Sequence, residues 1–249
     1  MSRPTQLLTL TLLTLALLGA GCAGNQRASL VTQGDQYMQA GSYGPAVEQY
    51  RKASEQDASD ATRLRLAAAL IQSGRHSEAL SELAAIGQDS HKSLCLKATC
   101  CVALNDVSNA ERLIEQALQD KPDDCQTLAL LGRVKFLQKE YDRSAEAYQN
   151  ALANSADDAV RMRLHYNLAM TQLSAGRFKE ADDTFKLYLV KQKFVTKEDN
   201  RVAGAIAYAA GDSERAFRHW KTLSSKEQRQ ILNAIDDEPR KAAEVAAAN

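Results

Sequence analysis

Two apolar patterns divide the chain. The first is one run near the start, Leu7–Leu18, in which threonines are the only polar residues. One charged residue, Arg3, precedes it, and Gly19, Ala20 and Gly21 follow. At about 12 residues it is shorter than the roughly 20 a helix needs to cross a bilayer. A basic start, an apolar middle and small residues fit a secretory signal over residues 1–21. The second pattern fills the rest. Apolar residues recur at helical spacing, separated by short polar turns, and no run alternates apolar and polar with β-branched enrichment long enough to predict a strand. The expectation is an all-α body over residues 30–236, a short polar tether over 22–29 and an alanine-rich tail over 237–249.

The helical pattern repeats. Six segments align on a small residue that follows a turn: Ala46 after Gly41, Ala79 after Gly74, Ala110 after Asn105, Ser144 after Lys139, Ala181 after Gly176 and Ala216 after Gly211. The anchors are spaced by 33, 31, 34, 37 and 35 residues. Four positions beyond each stands a larger residue: Tyr50, Leu83, Ile114, Tyr148, Phe185 and Trp220. Each has a reason. The turn position suits a residue that can end a helix in the left-handed conformation, the small anchor lets two helices approach, and the larger residue packs against the neighbouring pair. One pair buries too little surface to fold alone, so stacking supplies the core. The interval of 37 predicts a longer loop near residues 154–158, a candidate joint between sub-stacks. Beyond the sixth unit, Ser225 as N-cap with an acid nearby, before Ile231, Leu232 and Ile235, predicts a capping helix that Pro239 ends.

With this period the chain resembles the tetratricopeptide repeat family, whose repeat is about 34 residues. Gly34 with Tyr37, Leu66 with Ala67, Leu131 with Gly132, Leu168 with Ala169, and Gly204 take first-helix places of that pattern. The resemblance implies a right-handed superhelical α-solenoid of about six helix pairs plus the capping helix. Its inner wall would be lined by the first helix of each pair. The register puts Met38, Leu64, Ile71, Arg133, Phe136, Leu137, Tyr166, Met170, Leu173, Arg201 and Tyr208 there, as a groove for an extended segment or helix of another protein. For each apolar residue of that set, packing inside the stack is the competing position.

Cys22 follows the small-residue triplet directly, and Gly19-Ala20-Gly21-Cys22 resembles a bacterial lipobox. That likeness implies cleavage before Cys22, acylation of its thiol and amine, and anchorage by two or three chains, far firmer than one. Gly19 stands where the family prefers leucine. Ala23 follows the cysteine in place of the aspartate that retains such proteins in the inner membrane, which implies outer-membrane anchorage facing the periplasm.

Composition narrows the chemistry. There are 31 basic and 31 acidic residues, which argues against nucleic acid as a partner. No phosphate loop, His-Glu-x-x-His or nucleophile elbow is present. The expectation is therefore no catalytic residue, no cofactor, no metal and no small-molecule substrate. His76, His91, His165 and His219 lie in different units without ligand spacing, and Asp123-Asp124 and Asp157-Asp158 read as caps and turns. Cys95, Cys100 and Cys101 share one expected helix and Cys125 starts a later one. An oxidising compartment permits a bridge from Cys125 to any of the three, and free buried thiols are the alternative.

Taken whole, the layout resembles the lipoproteins of the Flp pilus tight-adherence protein D and type IV pilus pilotin groups. It implies a protein-binding scaffold that assists pilus or secretion-system assembly, with a secretin or pilus component as partner. An adaptor in outer-membrane protein insertion or cell-wall enzyme regulation, and a ligand binder using the cysteine-rich third unit, are the competing classes.

Overall fold

The computed structural model describes residues 27–237. The apolar run, Cys22, Pro239 and the alanine-rich tail lie outside the described residues. Those described form α-helices joined by short turns, with one 3-10 turn. The helices are α1 (27–39), α2 (Tyr43–Gln56), α3 (Asp60–Gln72), α4 (His76–Ala84), α5 (His91–Ala103), α6 (Val107–Asp120) and α7 (Cys125–Leu137). There follow α8 (Tyr141–Ala153), α9 (Asp158–Ser174), α10 (Phe178–Lys191), α11 (Lys197–Ala209), α12 (Ser213–His219) and α13 (Ser225–Asp237). Helix α1 is already formed at residue 27, so the last residues of the expected tether belong to the first repeat. The chain forms two compact units, divided inside α6 between Leu113 and Ile114 and not at residues 154–158.

All six turn positions are left-handed: Gly41, Gly74, Asn105, Lys139, Gly176 and Gly211, with φ between 61° and 89°. Each ends a first helix in the same way. The N–H of the turn residue donates three residues back and the next N–H five back, as in Gly176 to Leu173 (3.0 Å) and Arg177 to Gln172 (2.8 Å). This satisfies carbonyls that a helix end leaves open. Lys139 carries a side chain where glycine is relaxed, and it is exposed, so it gains no packing in return. Lys139→Gly is expected to raise stability by about 1 kcal/mol, read as a higher urea midpoint with unchanged slope.

Four first helices open on side-chain caps: Ser90 with Ser93, Asp124 onto the Thr127 N–H, Asp157 onto those of Ala159 and Val160, and Thr196 with Asp199; α3 has no such cap at Ser59. The two acidic pairs therefore serve as caps. Second helices α2, α4, α8 and α10 follow the left-handed turn without a side-chain cap, whereas Asp106 and Asp212 accept the Asn109 and Arg215 N–H groups at the starts of α6 and α12.

Every anchor is fully buried, and the residue four positions on is at most 4% exposed. Opposite three of the four aromatic residues at that second place stand glycines. A Cβ on Gly34, Gly132 or Gly204 would fall within 3 Å of the ring of Tyr50, Tyr148 or Trp220, sixteen residues later. Where the partner is smaller or differently set, alanine suffices: Ala67 shares a core with Leu83, and Ala169 with Phe185. Ser144 is the one polar anchor; its hydroxyl donates to the Gly132 carbonyl at 2.7 Å, which removes the cost of burying it.

Two boundaries differ from expectation. The interval of 37 comes from α9, which has 17 residues against 13 for α3, α5, α7 and α11. One added helical turn preserves the direction of every side chain around it, so the extra length needs no loop. At α13 the cap is Ser224 and not Ser225. The Glu227 carboxylate accepts from the Ser224 N–H (2.8 Å) and hydroxyl (2.7 Å), while the Glu227 N–H donates back at 3.3 Å. With Lys197 adding a bond, the Ser224 contacts hold the Glu227 pKa at about 2, below its ordinary 4.5. A depressed carboxyl pKa contributes stability above the unfolded value that is lost as pH falls through the folded one. This cap should therefore persist at pH 4.5 and fade toward pH 2, observable as the titration of the Glu227 carboxyl carbon by NMR.

Candidate functional site

The expected groove residues do not share one surface. Ile71, Met170 and Leu173 are core residues, at 9%, 7% and 0% exposure. Leu64 and Met38 are half-buried against the core that holds Ile71. Tyr166 packs into a ring cluster, with centroids 5.9 Å from Phe185 and 5.3 Å from Tyr188. Tyr208 lies 6.1 Å from the Trp220 ring, and Phe136 meets Tyr141 edge-on at 5.6 Å. Arg201 is half-buried, with its guanidinium 3.5 Å from Glu198. Only Arg133 and Leu137 are exposed.

The correction is a matter of register. First helices lie between neighbours and are apolar on more than one side, so two stripes satisfy the same spacing. In α9 the stripe Tyr166, Met170, Leu173 turns inward, and Arg163 with Asn167 faces out. In α3 the residues exposed beyond Asp60 and Ala61 are Arg65 and Gln72, each one position from Leu64 and Ile71. Polar residues four or seven apart on an otherwise apolar helix were the available signal.

Within the second unit, the outward faces of α7 and α9 meet in a shallow cleft of about 210 Å³. Gln126 and Ala129 line it from α7, and Val160, Arg163, Leu164 and Asn167 from α9. Leu164 is 2% exposed and forms its floor. Arg133 and Leu137 continue the same α7 face at i+7 and i+11 from Gln126, within helical register of the cleft. The surface combines an apolar floor, two guanidinium groups and two side-chain amides. Such a set can hold an extended backbone by hydrogen bonds while taking an apolar side chain. A second recess, about 390 Å³, lies at the turn Lys139–Arg143 beside Ala175 and is lined mainly by polar groups.

Two of the thiols, Cys100 and Cys101, are poorly placed for nucleophilic chemistry. Cys95, Cys100, Cys101 and Cys125 form no disulfide in the structure. Burial first, with Cys101 beside it, pushes the Cys100 pKa up to about 12, and burial also raises Cys101. A reactive cysteine needs the opposite environment, because the thiolate is the nucleophile. Among the described residues no group of three or more His, Cys, Asp or Glu side chains could hold a metal ion. No described helix is long and apolar enough to cross a membrane.

Repeated left-handed turns, buried small anchors and the residue four beyond them agree with a family model described as tetratricopeptide repeat. It matches residues 31–91, 102–159 and 130–194, more than half of the chain. The chain belongs to the tetratricopeptide repeat family. Members of this family act as protein-binding scaffolds. Superkiller complex protein 3 of Mus musculus is 31% identical over 91 residues, which are 36% of this chain and 6% of that protein. Among solved tetratricopeptide-like structures, the APC/C hetero-tetramer Cut9-Hcn1 superposes with a TM-score of 0.72 at 15% identity. It covers 96% of this chain, which spans 45% of that one. The pilF protein of Pseudomonas aeruginosa superposes at 0.65 with 17% identity over 87% of this chain and 94% of its own. A thermophilic TPR protein of Thermus thermophilus superposes at 0.59 with 18% identity, over 79% of this chain and 98% of its own. At these identities the likeness is one of fold.

Proposed function

We propose that this chain is a lipid-anchored scaffold at the outer membrane, facing the periplasm, which binds an extended segment of another protein and assists assembly of a pilus or secretion apparatus. The observation that carries the binding role is the α7–α9 cleft, where Arg163, Asn167 and Gln126 surround an apolar floor on a first-helix face. Cys22 behind its small-residue triplet supports the anchor. The pilus assignment draws on the layout of the whole chain and on the pilF likeness, which takes in nearly all of that protein.

The test is affinity capture of the full tagged chain from native membranes, in parent, Cys22→Ser, and Arg163→Glu with Gln126→Ala. Both cleft residues are exposed, so the last variant leaves the core untouched. A secretin or pilus component recovered by the parent, weakened by loss of the anchor and reduced at least tenfold by the cleft variant, is the expected result. Insertion-machinery or cell-wall proteins in its place would move the function to those systems. An unchanged partner set with the cleft variant would remove the cleft from the interface.

A further inference from the structure

One stretch of the second unit departs from the balanced charge of the rest. From Thr184 to Lys197 there is no acidic residue, and four lysines occur: Lys186, Lys191, Lys193 and Lys197. Apolar side chains interleave with them and point to solvent. Leu187 is 55% exposed, Val190 82%, Phe194 75% and Val195 48%. They occupy the last turns of α10 and the segment leading to α11. Contiguous exposed apolar groups of this kind mark a protein or a membrane contact.

The geometry favours a membrane. A peptide site gathers its apolar groups in a recess, but neither the α7–α9 cleft nor the recess at the Lys139–Arg143 turn includes any of these residues. Here the most exposed apolar groups sit at a helix end and its loop, with lysines beside them. Lys193 lies over the Phe194 ring at 5.8 Å, so the cationic and apolar parts act at one place. The acids facing the patch come from other elements or from the first turns of α10. Asp182 and Asp183 pair with Lys186, Asp158 lies 3.7 Å from Lys191, and Glu227 lies 3.0 Å from Lys197. The Lys191 pair is long and exposed on both sides, so that charge is available to another partner.

We propose that the Lys186–Lys197 segment docks on an anionic phospholipid surface. Phe194, Val190 and Val195 enter the headgroup–acyl boundary, and Lys191 and Lys193 reach the phosphates. Lysine stems can lie along apolar surface while the ammonium stays at the interface, and basic residues near an anionic leaflet contribute attraction that salt screens. The contact is interfacial and does not depend on acylation of Cys22. It would fix which side of the second unit faces the bilayer.

The test places a tryptophan at the contact and reads it locally, because residues 7–18 could bind vesicles by themselves. The full chain carries Cys22→Ser with Phe194→Trp; the native Trp220 is fully buried and supplies a constant background. Vesicles of phosphatidylglycerol with brominated acyl chains should quench the new tryptophan at least twofold and shift its emission to the blue. Phosphatidylcholine vesicles, or Gln149→Trp on the exposed face of α8, should show neither effect. Lys191→Gln with Lys193→Gln should weaken the quenching titration by about 25-fold, at about fivefold per lysine. Emission unchanged by anionic vesicles, or quenching equal at positions 194 and 149, would overturn the proposal. So would loss of a captured protein on Val190→Ser with Phe194→Ser when lipid has no effect, which would make the patch a protein interface.

Discussion

Trp220→Ala should lower the stability of the second unit by about 3–5 kcal/mol, a large part of what holds a domain of this size together. Trp220 is fully buried, and its indole N–H donates to the Arg201 carbonyl at 3.1 Å. It shares a core with Phe185, Val202, Ile206, Ile231 and Ile235, from three helices. Removing it leaves a cavity whose walls are held by separate helices and cannot simply collapse. Chemical denaturation followed by circular dichroism would show an early transition, while a Trp220→Phe change should retain most of the stability.

The same site predicts a specific coupling. Gly204 faces the indole so closely that an added methyl must displace it, yet the indole is held by its hydrogen bond. Gly204→Ala alone is therefore expected to cost about 1–3 kcal/mol as overpacking. Ala67 with Leu83 shows that the repeat also accepts the alanine–aliphatic combination at these two places. Gly204→Ala combined with Trp220→Leu should be more stable than the sum of the single changes, by about 1 kcal/mol or more. Simple additivity would mean that the two positions do not constrain one another.

That coupling explains why the fold was legible. At the turn, the anchor and the position four beyond it, each unit needs one kind of residue for a stated reason. Asn105 and Lys139 take the left-handed turn despite lacking the glycine's freedom, because the helices on either side impose it. The groove was less legible because first helices are packed on more than one side. In α9 the stripe through Met170 and Leu173 and the one through Arg163 and Asn167 lie side by side, and spacing alone does not say which neighbour covers which. The polar pair was the better guide, since burying an arginine without a partner is costly whereas an exposed leucine is not. The extra turn of α9 was hidden for a related reason. An insertion of one helical turn and an insertion in a loop leave the same interval between anchors.

Asp199→Ala should destabilise the start of α11 by about 2–4 kcal/mol, since one carboxylate serves two structures. Its Oδ2 accepts the Thr196 N–H at 2.8 Å and the Thr196 hydroxyl at 2.7 Å, which closes the capping box at the head of α11. Its Oδ1 accepts the Tyr188 hydroxyl at 2.6 Å, which ties α10 to α11. The carboxylate is 4% exposed, so water does not readily replace it. Burial first, and then the bond to Asp199, push the Tyr188 phenol above its ordinary range. Without the carboxylate, Tyr188 should ionise at lower pH, although still above 10 because burial remains. A phenol whose folded pKa is raised contributes stability below the unfolded value that is lost as pH rises through the folded one. The stability curve of Asp199→Ala should therefore fall less between about pH 10 and 12 than that of the parent. Tyr188→Phe separates the two roles: alone it should cost about 1 kcal/mol, and in the Asp199→Ala background close to nothing. If Tyr188→Phe costs the same in both backgrounds, Asp199 acts only as a cap, and the join between α10 and α11 does not depend on the Tyr188 hydroxyl.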